Sequence, residues 1–294
     1  MESLMASQSN QRKLLKGAFK IDASRLGMWI IPLVLMTATW IHAAENRPLS
    51  LDMKTDIYSA YVWRGMVLDR HAVAQPSAIA TMNMQNAGSF SAKVWMNWDL
   101  SPGSSHFKVT SADDGVNVLN FVPSYTKAFG PVDISVGNTW YTFPDTGKPK
   151  KPSNTDEFFL TMKYKNTFAT PSLSVYYDYR SVRQSFQEDN PLKDLYARIA
   201  LDKIIPLSKS FSVGGTVLLG CGTSHYNAIR YCSPGGSLVD YQTSVYMSYA
   251  CTDTFSIGTT LVYTGLFGGD LGLDLDAVSP DEIFWGGVNL RWLL

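Results

Sequence analysis

The sequence predicts an all-β fold, a transmembrane antiparallel β-barrel of about 12 strands that follows an N-terminal signal peptide. Apolar and polar side chains alternate along most of the chain after residue 44, as they do in the segment Trp285 to Leu294. Long and short connections alternate between these segments. Charged residues make up 17% of the sequence, whereas soluble domains usually carry about 25%. The formal net charge is zero, so no nucleic-acid partner is expected.

Residues 1–44 predict a secretory signal peptide. A basic region up to Arg25 is followed by an uncharged run from Leu26 to Ile41 and by the small residues Ala43 and Ala44. Pro32 interrupts the run, which is shorter than the roughly 20 residues that a spanning helix needs. An uncleaved anchor is the alternative. Cleavage is expected after Ala43 or Ala44, which leaves residues 45–294 as the barrel.

Period-two alternation predicts the strands in chain order. The first begins at Asp52 and includes Arg64, and the clearest is the third, in which Phe90 to Leu100 alternate between apolar and polar residues. The predicted strands cover residues 52–64, 78–84, 90–100, 116–127, 132–143, 157–165, 173–180, 195–204, 211–219, 239–249, 255–263 and 283–294.

Connection lengths support this division. Long connections are predicted at 65–72, 101–115, 144–156, 181–193, 220–238 and 264–282, and short ones at 85–88, 128–131, 166–171, 206–210 and 250–254. Long external loops that alternate with short periplasmic turns are typical of outer-membrane barrels. The predicted location is therefore the bacterial outer membrane, with both termini on the periplasmic side.

The charged strand residues, including Lys127 and Glu157, are predicted to face the lumen, because a Lys or Arg facing lipid costs roughly 2–4 kcal/mol. The pore-lining candidates are Lys54, Asp56, Arg64, Lys93, Asp99, Lys163, Asp178, Arg180, Arg198, Asp240 and Arg291. The bulky side chains predicted to narrow the passage are Tyr58, Trp95, Phe121, Tyr125, Phe159, Tyr176 and Tyr246. Aromatic residues predicted on the outer face are Tyr61, Trp63, Trp98, Trp140, Tyr164, Tyr177, Tyr179, Tyr249, Tyr263 and Trp292.

Arg64 has two readings. It is predicted to end the first strand, to face inward and to pair with Asp99, Asp178 or Asp240. In one reading it lines a constriction and sets ion preference, and in the other it braces the wall. Gly65 after it permits a tight turn.

The three cysteines leave two interpretations open. Cys221 and Cys232 bracket a loop-like stretch and are a disulfide candidate, or they are free thiols; Cys251 has no predicted partner. No cofactor, metal site or catalytic residue is predicted. The acids of the last loop either bind calcium or magnesium or are simply solvated, and they are Asp270, Asp274, Asp276, Asp281 and Glu282. Lys148, Lys150 and Lys151 either contact lipopolysaccharide phosphates or belong to a solvated loop.

The segment Tyr58 to Gly65 reads Tyr-Ser-Ala-Tyr-Val-Trp-Arg-Gly, and a stretch from His71 to Pro76 follows it. These residues resemble the opening motif of the Gcw family, also called TorF-type porins. Gly137 to Pro144 and the strand that carries Glu157 resemble later motifs of that family. The resemblance covers roughly residues 52 to 180 and departs at Pro76, where the proline is shifted. It implies an outer-membrane barrel and supplies no catalytic residues.

The predicted function is a channel for passive diffusion of small hydrophilic solutes, with weak ion selectivity because the lumen charges are mixed. The alternative is a closed structural or adhesive barrel whose loops bind a partner or lipopolysaccharide. A lipid-modifying enzyme is the least favoured reading, because His71, His106 and His225 lie in separate predicted loops. Expected partners are outer-membrane lipid, lipopolysaccharide and the solutes themselves. Whether the barrel forms a homo-oligomer is left open.

Overall fold

The computed structural model describes residues 49–101, 115–143, 154–165, 168–179, 194–231, 237–267 and 282–294. The strands of these residues form a closed antiparallel barrel, as predicted. The predicted signal peptide, residues 1–44, lies outside the described residues. Within the described ranges, no helix is long and apolar enough to cross a membrane.

Twelve strands close the barrel. They are β1 (Leu49–Tyr58), β4 (Val73–Asn83), β5 (Ser89–Asp99), β6 (Gly115–Phe129), β7 (Val132–Thr142), β8 (Thr155–Tyr164), β9 (Thr170–Asp178), β10 (Leu195–Pro206), β11 (Phe211–Gly222), β12 (Ser237–Ala250), β13 (Phe255–Leu266) and β14 (Glu282–Leu293). A separate hairpin consists of β2 (Tyr61–Trp63) and β3 (Met66–Asp69), and a short helix, α1, covers Ser224–Arg230.

The barrel has two different ends. At one, which we call the turn end, strands are joined by residues 84–88, 130–131, 165–169, 207–210 and 251–254. At the other, the loop end, the connections are 59–72, 100–114, 143–154, 179–194, 223–236 and 267–281. The predicted alternation of long and short connections is confirmed. β1 and β14 close the ring, and the backbones of Leu51 and Leu294 exchange hydrogen bonds of 2.9 and 2.8 Å.

Side-chain alternation separates an apolar outer wall from a polar lumen. In β5, Phe90, Val94 and Trp98 are exposed on the outer wall, whereas Asn97 and Asp99 are buried inside, as predicted. The other barrel strands follow the same pattern and expose on their outer faces Ile57, Met82, Phe121, Trp140, Phe158, Leu173, Leu201, Val217, Val245, Leu261 and Val288.

Strand β6 faces the opposite way from the prediction. Paired residues on neighbouring strands share a face, and Phe121 pairs with outward Val94 while Tyr125 pairs with outward Phe90. Phe121 also stacks on Trp140, with ring centroids 5.4 Å apart. Phe121 and Tyr125 therefore do not narrow the passage. Their predicted inward position is wrong.

The cause is a bulge near the loop end of β6. The register shifts between Asn97 and Trp98, and the two consecutive residues Asn117 and Val118 are both buried. An extra residue inverts the alternation, so the phase read at one end of a strand does not hold at the other. Lys127, which pairs with Ile134 at the turn end, consequently lies on the outer face and not in the lumen.

Tyr61 and Trp63 are also misplaced by the prediction. β1 ends at Tyr58, and both aromatic residues belong to the β2–β3 hairpin. Tyr61 is buried against Val73 and Val118, inside the barrel. The other predicted outer aromatic residues that are exposed on the wall are Trp98, Trp140, Tyr164, Tyr179, Tyr249 and Trp292.

Candidate functional site

The β2–β3 hairpin and α1 fold into the barrel at the loop end. Tyr61 and Val67 of the hairpin are buried, as are Tyr226 and Asn227 of α1. We call this assembly the mouth layer; it comprises the hairpin, α1 and the wall side chains that they contact. The prediction treated residues 65–72 and 220–238 as external loops, whereas their described parts occupy the mouth of the lumen.

Arg64 lies at the tip of the hairpin. Its φ of 50° and the φ of 79° at Gly65 form the turn between β2 and β3. The Nη2 of Arg64 donates to both carboxylate oxygens of Glu157 on β8, each at 2.8 Å. Arg64 faces the lumen as predicted, but it does not end a barrel strand. Its ionic partner is Glu157, not any of the three aspartates expected from the sequence.

Aromatic rings surround the Arg64 guanidinium. Its Cζ lies 4.6 Å from the ring centroid of Trp63, 4.6 Å from that of Tyr176 and 4.2 Å from that of Tyr196. Nη1 donates to the hydroxyl of Tyr226 on α1. Such rings stabilise a desolvated cation. The guanidinium therefore connects the hairpin, the barrel wall and α1.

Helix α1 is fixed on two sides. The Thr223 Oγ1 caps its first turn by accepting from the backbone N–H of Tyr226 at 3.4 Å. The Tyr231 hydroxyl, just after the helix, donates to the Arg64 carbonyl at 3.0 Å. Arg230 pairs with Asp178, which accepts from the Thr155 hydroxyl at 2.6 Å. The helix was missed by the prediction, and the Thr223 cap was the available signal.

Burial raises the pKa of two groups in the mouth layer, Tyr226 and Asp194. Desolvation raises the pKa of Tyr226 to about 12, so its hydroxyl stays neutral and accepts from Arg64. Asp194, which precedes β10, is fully buried, and neither of its carboxylate oxygens has a hydrogen-bond partner in the described structure. Burial raises the pKa of Asp194 to about 6, with Arg230 opposing the rise and Asp178 adding to it.

The lumen between the mouth layer and the turn end, which we call the vestibule, is lined by charged residues. Three ion pairs lie here: Arg291 donates to both carboxylate oxygens of Asp52 at 2.9 and 2.7 Å, Lys54 pairs with Asp56 at 2.8 Å, and Lys165 with Asp133 at 2.8 Å. Asp202 accepts from the hydroxyls of Thr216 at 2.6 Å and Tyr246 at 2.9 Å. The remaining charged residues of the vestibule are Lys93, Lys163 and Arg198.

The predicted pore-lining residues thus divide between two layers. Arg64, Asp178 and Asp240 lie in the mouth layer, and Asp99 is buried at the loop end of β5. Arg180 lies outside the described residues. The vestibule holds Lys54, Asp56, Lys93, Lys163, Arg198 and Arg291. The prediction omitted Glu157 and Asp194 from this set, because their importance depends on contacts made by α1 and the hairpin.

The remaining candidates add no catalytic constellation to the described residues. The Nδ1 of His71 lies 3.0 Å from the Oδ1 of Asp69, and His106 lies outside the described ranges. Within those ranges, no group of three His, Cys, Asp or Glu residues is arranged to hold a metal ion. Glu282, predicted in the acidic loop, begins β14 on the outer face, where it accepts from Tyr241 at 2.7 Å and from Tyr263. The other four loop acids and Lys148, Lys150 and Lys151 lie outside the described residues.

The two described cysteines, Cys221 and Cys251, lie at different places on the barrel. Cys221 lies on the outer face of β11, opposite Ala197. Cys232 lies outside the described residues, so its pairing with Cys221 stays a prediction. Cys251 is a free, exposed thiol at the turn end.

Comparison with known proteins shows the fold. No protein-family model and no curated protein sequence matches the chain. An outer membrane channel from Pseudomonas putida F1 is 8% identical, with a TM-score of 0.50 over 86% of this chain and 98% of that chain. A NanC porin is 11% identical, with a TM-score of 0.49 over 82% of this chain and 98% of that one. A KdgM porin is 11% identical, with a TM-score of 0.44 over 83% and 98%.

Proposed function

We propose that this protein is a bacterial outer-membrane channel that allows small hydrophilic solutes to diffuse passively. The observation that carries the proposal is a closed barrel of 12 strands whose outer wall is apolar and whose lumen is lined by charged side chains. In a membrane, a closed barrel satisfies all backbone hydrogen bonds, and an apolar outer wall suits acyl chains. The lumen offers hydrophilic solutes a path that lipid does not.

The mouth layer controls the width of this path. Barrels of about eight strands are filled by their own side chains, and barrels of sixteen or more strands leave an open channel, so twelve is intermediate. Here the hairpin and α1 occupy part of the lumen at the loop end, which becomes the external side in the outer membrane. A solute passes the mouth layer and then the vestibule.

The same mouth layer favours a second candidate, a closed structural barrel. The buried ion pair of Arg64 with Glu157 and the buried Tyr226 and Asn227 of α1 are the features expected if the mouth never opens. Liposomes that contain the refolded protein separate the two candidates when they are placed in a small neutral sugar. Swelling faster than that of empty vesicles supports the channel. Swelling at the rate of empty vesicles, with a folded barrel shown on a gel, supports the closed barrel.

We also propose that the chain belongs to the Gcw, or TorF-type, porin family. The resemblance rests on residues 58–65, and these residues include β2 and the Arg64–Gly65 turn of the hairpin. The position of residues 58–65 explains why a motif is found there, because these residues build part of the β2–β3 hairpin that fills the mouth. Replacing this segment with a short Gly-Ser turn tests that role, and an unchanged swelling rate contradicts it.

Residues 1–44 are proposed to direct secretion and to be removed after Ala43 or Ala44. N-terminal sequencing of the protein purified from outer membranes tests this. A first residue of Ala44 or Glu45 supports it, and retention of Met1 supports the uncleaved anchor.

A further inference from the structure

We propose that the vestibule selects anionic solutes, and that Arg198 gives it a binding point for an oxyanion, either a carboxylate or a phosphate group. The proposal rests on the proposed channel function and names the class of solute. It differs from the weak ion selectivity that the mixed composition of the lumen predicts, because composition does not show which charges are already paired.

Every acid of the described vestibule has an ion-pair or a hydrogen-bond partner. Asp52 is held by the guanidinium of Arg291, Asp56 by Lys54, and Asp133 by Lys165. Asp202 has no ion pair but accepts two hydroxyl hydrogen bonds on one oxygen, from Thr216 and Tyr246. A nearby cation cancels most of the electric field of a carboxylate, so the pair attracts a passing solute only weakly. Among the acids of the described vestibule, only Asp202 therefore keeps a negative charge that no cation matches.

Three cations of the vestibule are not matched in this way. Among the residues that the structure describes, Lys93, Lys163 and Arg198 form no hydrogen bond or ion pair. Lys93 lies within the field of Asp52 and Asp56, and Arg198 lies within that of Asp240 and 5.7 Å from the ring centroid of Tyr176. The described vestibule holds six cationic side chains and four acidic ones. The unmatched charge is therefore positive.

These unmatched cations are distributed around the ring. Lys93 lies on β5, Lys163 on β8 and Arg198 on β10. β6, β7, β8 and β9 separate β5 from β10 along one side of the ring, so Lys93 and Arg198 project from widely separated walls. A solute in the vestibule then meets positive charge on more than one side. Rings of Lys and Arg are the usual means by which pores select anions.

Arg198 supplies hydrogen-bond donors of defined geometry as well as a positive charge. Its strand partners are Ser174 and Gly220, neither of which is ionisable. Asp240 of the mouth layer, whose charge interacts with that of Arg198, accepts from the Tyr196 hydroxyl at 2.9 and 3.2 Å. The guanidinium therefore keeps its donors for a solute, and a planar guanidinium binds carboxylate or phosphate with two parallel hydrogen bonds.

Reversal potentials in a KCl gradient across a planar bilayer test the selectivity. For the wild-type channel we expect chloride to be favoured over potassium by at least about threefold, since a unit charge within a few ångström acts appreciably even in water. The Lys93→Gln/Arg198→Gln double variant is expected to bring the ratio close to one. Each variant is first shown to be a folded barrel by its heat-modifiable migration on a gel.

A charge-neutral control separates unmatched from paired charges. The Arg291→Gln/Asp52→Asn variant removes one charge of each sign and is expected to keep the wild-type ratio. Succinate and inorganic phosphate are then tested as blockers of the chloride current. Block by either one in wild type that is lost in Arg198→Gln supports the oxyanion site and identifies its group, whereas failure of both to block overturns the site.

The outcomes also distinguish this inference from the proposed function. A conducting channel that favours potassium, or shows no preference, overturns the anion selectivity and leaves the channel function intact. A folded barrel that never conducts, even after the hairpin is replaced with a Gly-Ser turn, overturns both.

Discussion

Arg64 joins three parts of the chain that are far apart in sequence, namely the hairpin, β8 and α1. Its guanidinium donates to Glu157 and Tyr226, and its carbonyl accepts from Tyr231. The Arg64 and Glu157 side chains are 10% and 4% exposed, so the ion pair is desolvated and its loss leaves an uncompensated charge. Arg64 therefore holds the hairpin, β8 and α1 together, in addition to the contacts that α1 and the hairpin make elsewhere.

The first prediction is that Arg64→Ala releases the mouth layer. Removing one partner of a buried ion pair costs roughly 3–5 kcal/mol, because the other charge stays buried alone. We expect faster hydrogen exchange in residues 60–70 and 224–231 and a larger single-channel conductance, with the barrel itself still folded. Arg64→Lys is the matched control. Lysine keeps the charge but not the paired hydrogen bonds, so it is expected to lie between wild type and alanine. Unchanged exchange and conductance in Arg64→Ala contradict the role.

The second prediction concerns Asp194 and pH. The groups that face its carboxyl are Arg230 and His225 of α1, Asp178 of β9 and Glu157 of β8. Burial raises its pKa to about 6 from an ordinary value of 3.8, so the buried form favours the protonated carboxyl. Its contribution to the stability of the closed mouth is therefore fully present below pH 3.8, declines as the pH rises towards 6, and is lost above that.

Hydrogen exchange of the hairpin, corrected for the intrinsic effect of pH, checks this. Protection is expected to fall between about pH 4 and about pH 7 in wild type. Asp194→Asn removes the titrating group and is expected to abolish the change. Asp52→Asn, which alters a vestibule carboxylate paired with Arg291, serves as the control and is expected to keep it. Should Asp194→Asn retain the full pH dependence, another group is responsible.

At the scale of elements, the hairpin turn fits the wall closely. A Cβ added to Gly65 would lie 2.5 Å from a methyl carbon of Leu266 and 2.7 Å from the Cβ of Asp240. Gly65 also has a φ of 79°, which only glycine adopts without cost. The hairpin can dock in this position only because Gly65 has no side chain.

The third prediction is that Gly65→Ala displaces the hairpin. We expect increased hydrogen exchange in β2 and β3 and a higher conductance, because the left-handed backbone costs about 1–2 kcal/mol and the contacts add to it. Gly130→Ala is a control in a short turn. Gly130 has a φ of 59°, but nothing lies within 4 Å of an added Cβ. It therefore carries the backbone cost alone and is expected to leave the mouth layer unchanged. Equal effects of the two variants on the hairpin would contradict the close fit.

The sequence predicts the barrel strands well because alternation is a local property. Each strand must present one apolar face to lipid, so the pattern recurs along β5 and the others whatever the rest of the chain does. The hairpin was not predicted, because Tyr61 and Trp63 continue an alternation that resembles a longer β1. The predicted phase of β6 was wrong because a bulge within β6 inverts the alternation, and the extra residue is recognised only from the pairing with β5.

The candidate site was less predictable for a related reason. Inward-facing charges such as Lys93 and Arg198 follow from the alternation and can be identified without coordinates. Their partners cannot, since pairing depends on register across the barrel. Arg64 bonds Glu157, which is 93 residues away, and the sequence offered three other acids for it. The distinction between paired and unmatched charges, on which selectivity depends, therefore appears only in three dimensions.

At the scale of the whole molecule, the barrel is held together by closure of the ring of strands and not by a central hydrophobic core. Each barrel strand is paired on both sides, so no edge is left open to lipid. Within the described residues, the buried apolar side chains are concentrated near the loop end, in two clusters around Tyr61 and Tyr226. Pairing between β1 and β14 is the step that removes the last two edges.

The fourth prediction is that the barrel does not close without β14. Deletion of residues 282–294 leaves β1 and β13 with unpaired backbone groups, each of which costs several kcal/mol in hydrocarbon. The wild-type protein, refolded in detergent, is expected to migrate differently before and after boiling, because a closed barrel resists unfolding. The deleted protein is expected to migrate identically in both lanes and to be digested by protease. Leu293→Ala is the control: it shortens one exposed side chain and leaves every backbone bond between β1 and β14 in place. Leu293→Ala is expected to keep the change in migration on boiling. If the protein that lacks residues 282–294 also keeps this change, the ring closes by strand pairings other than those described.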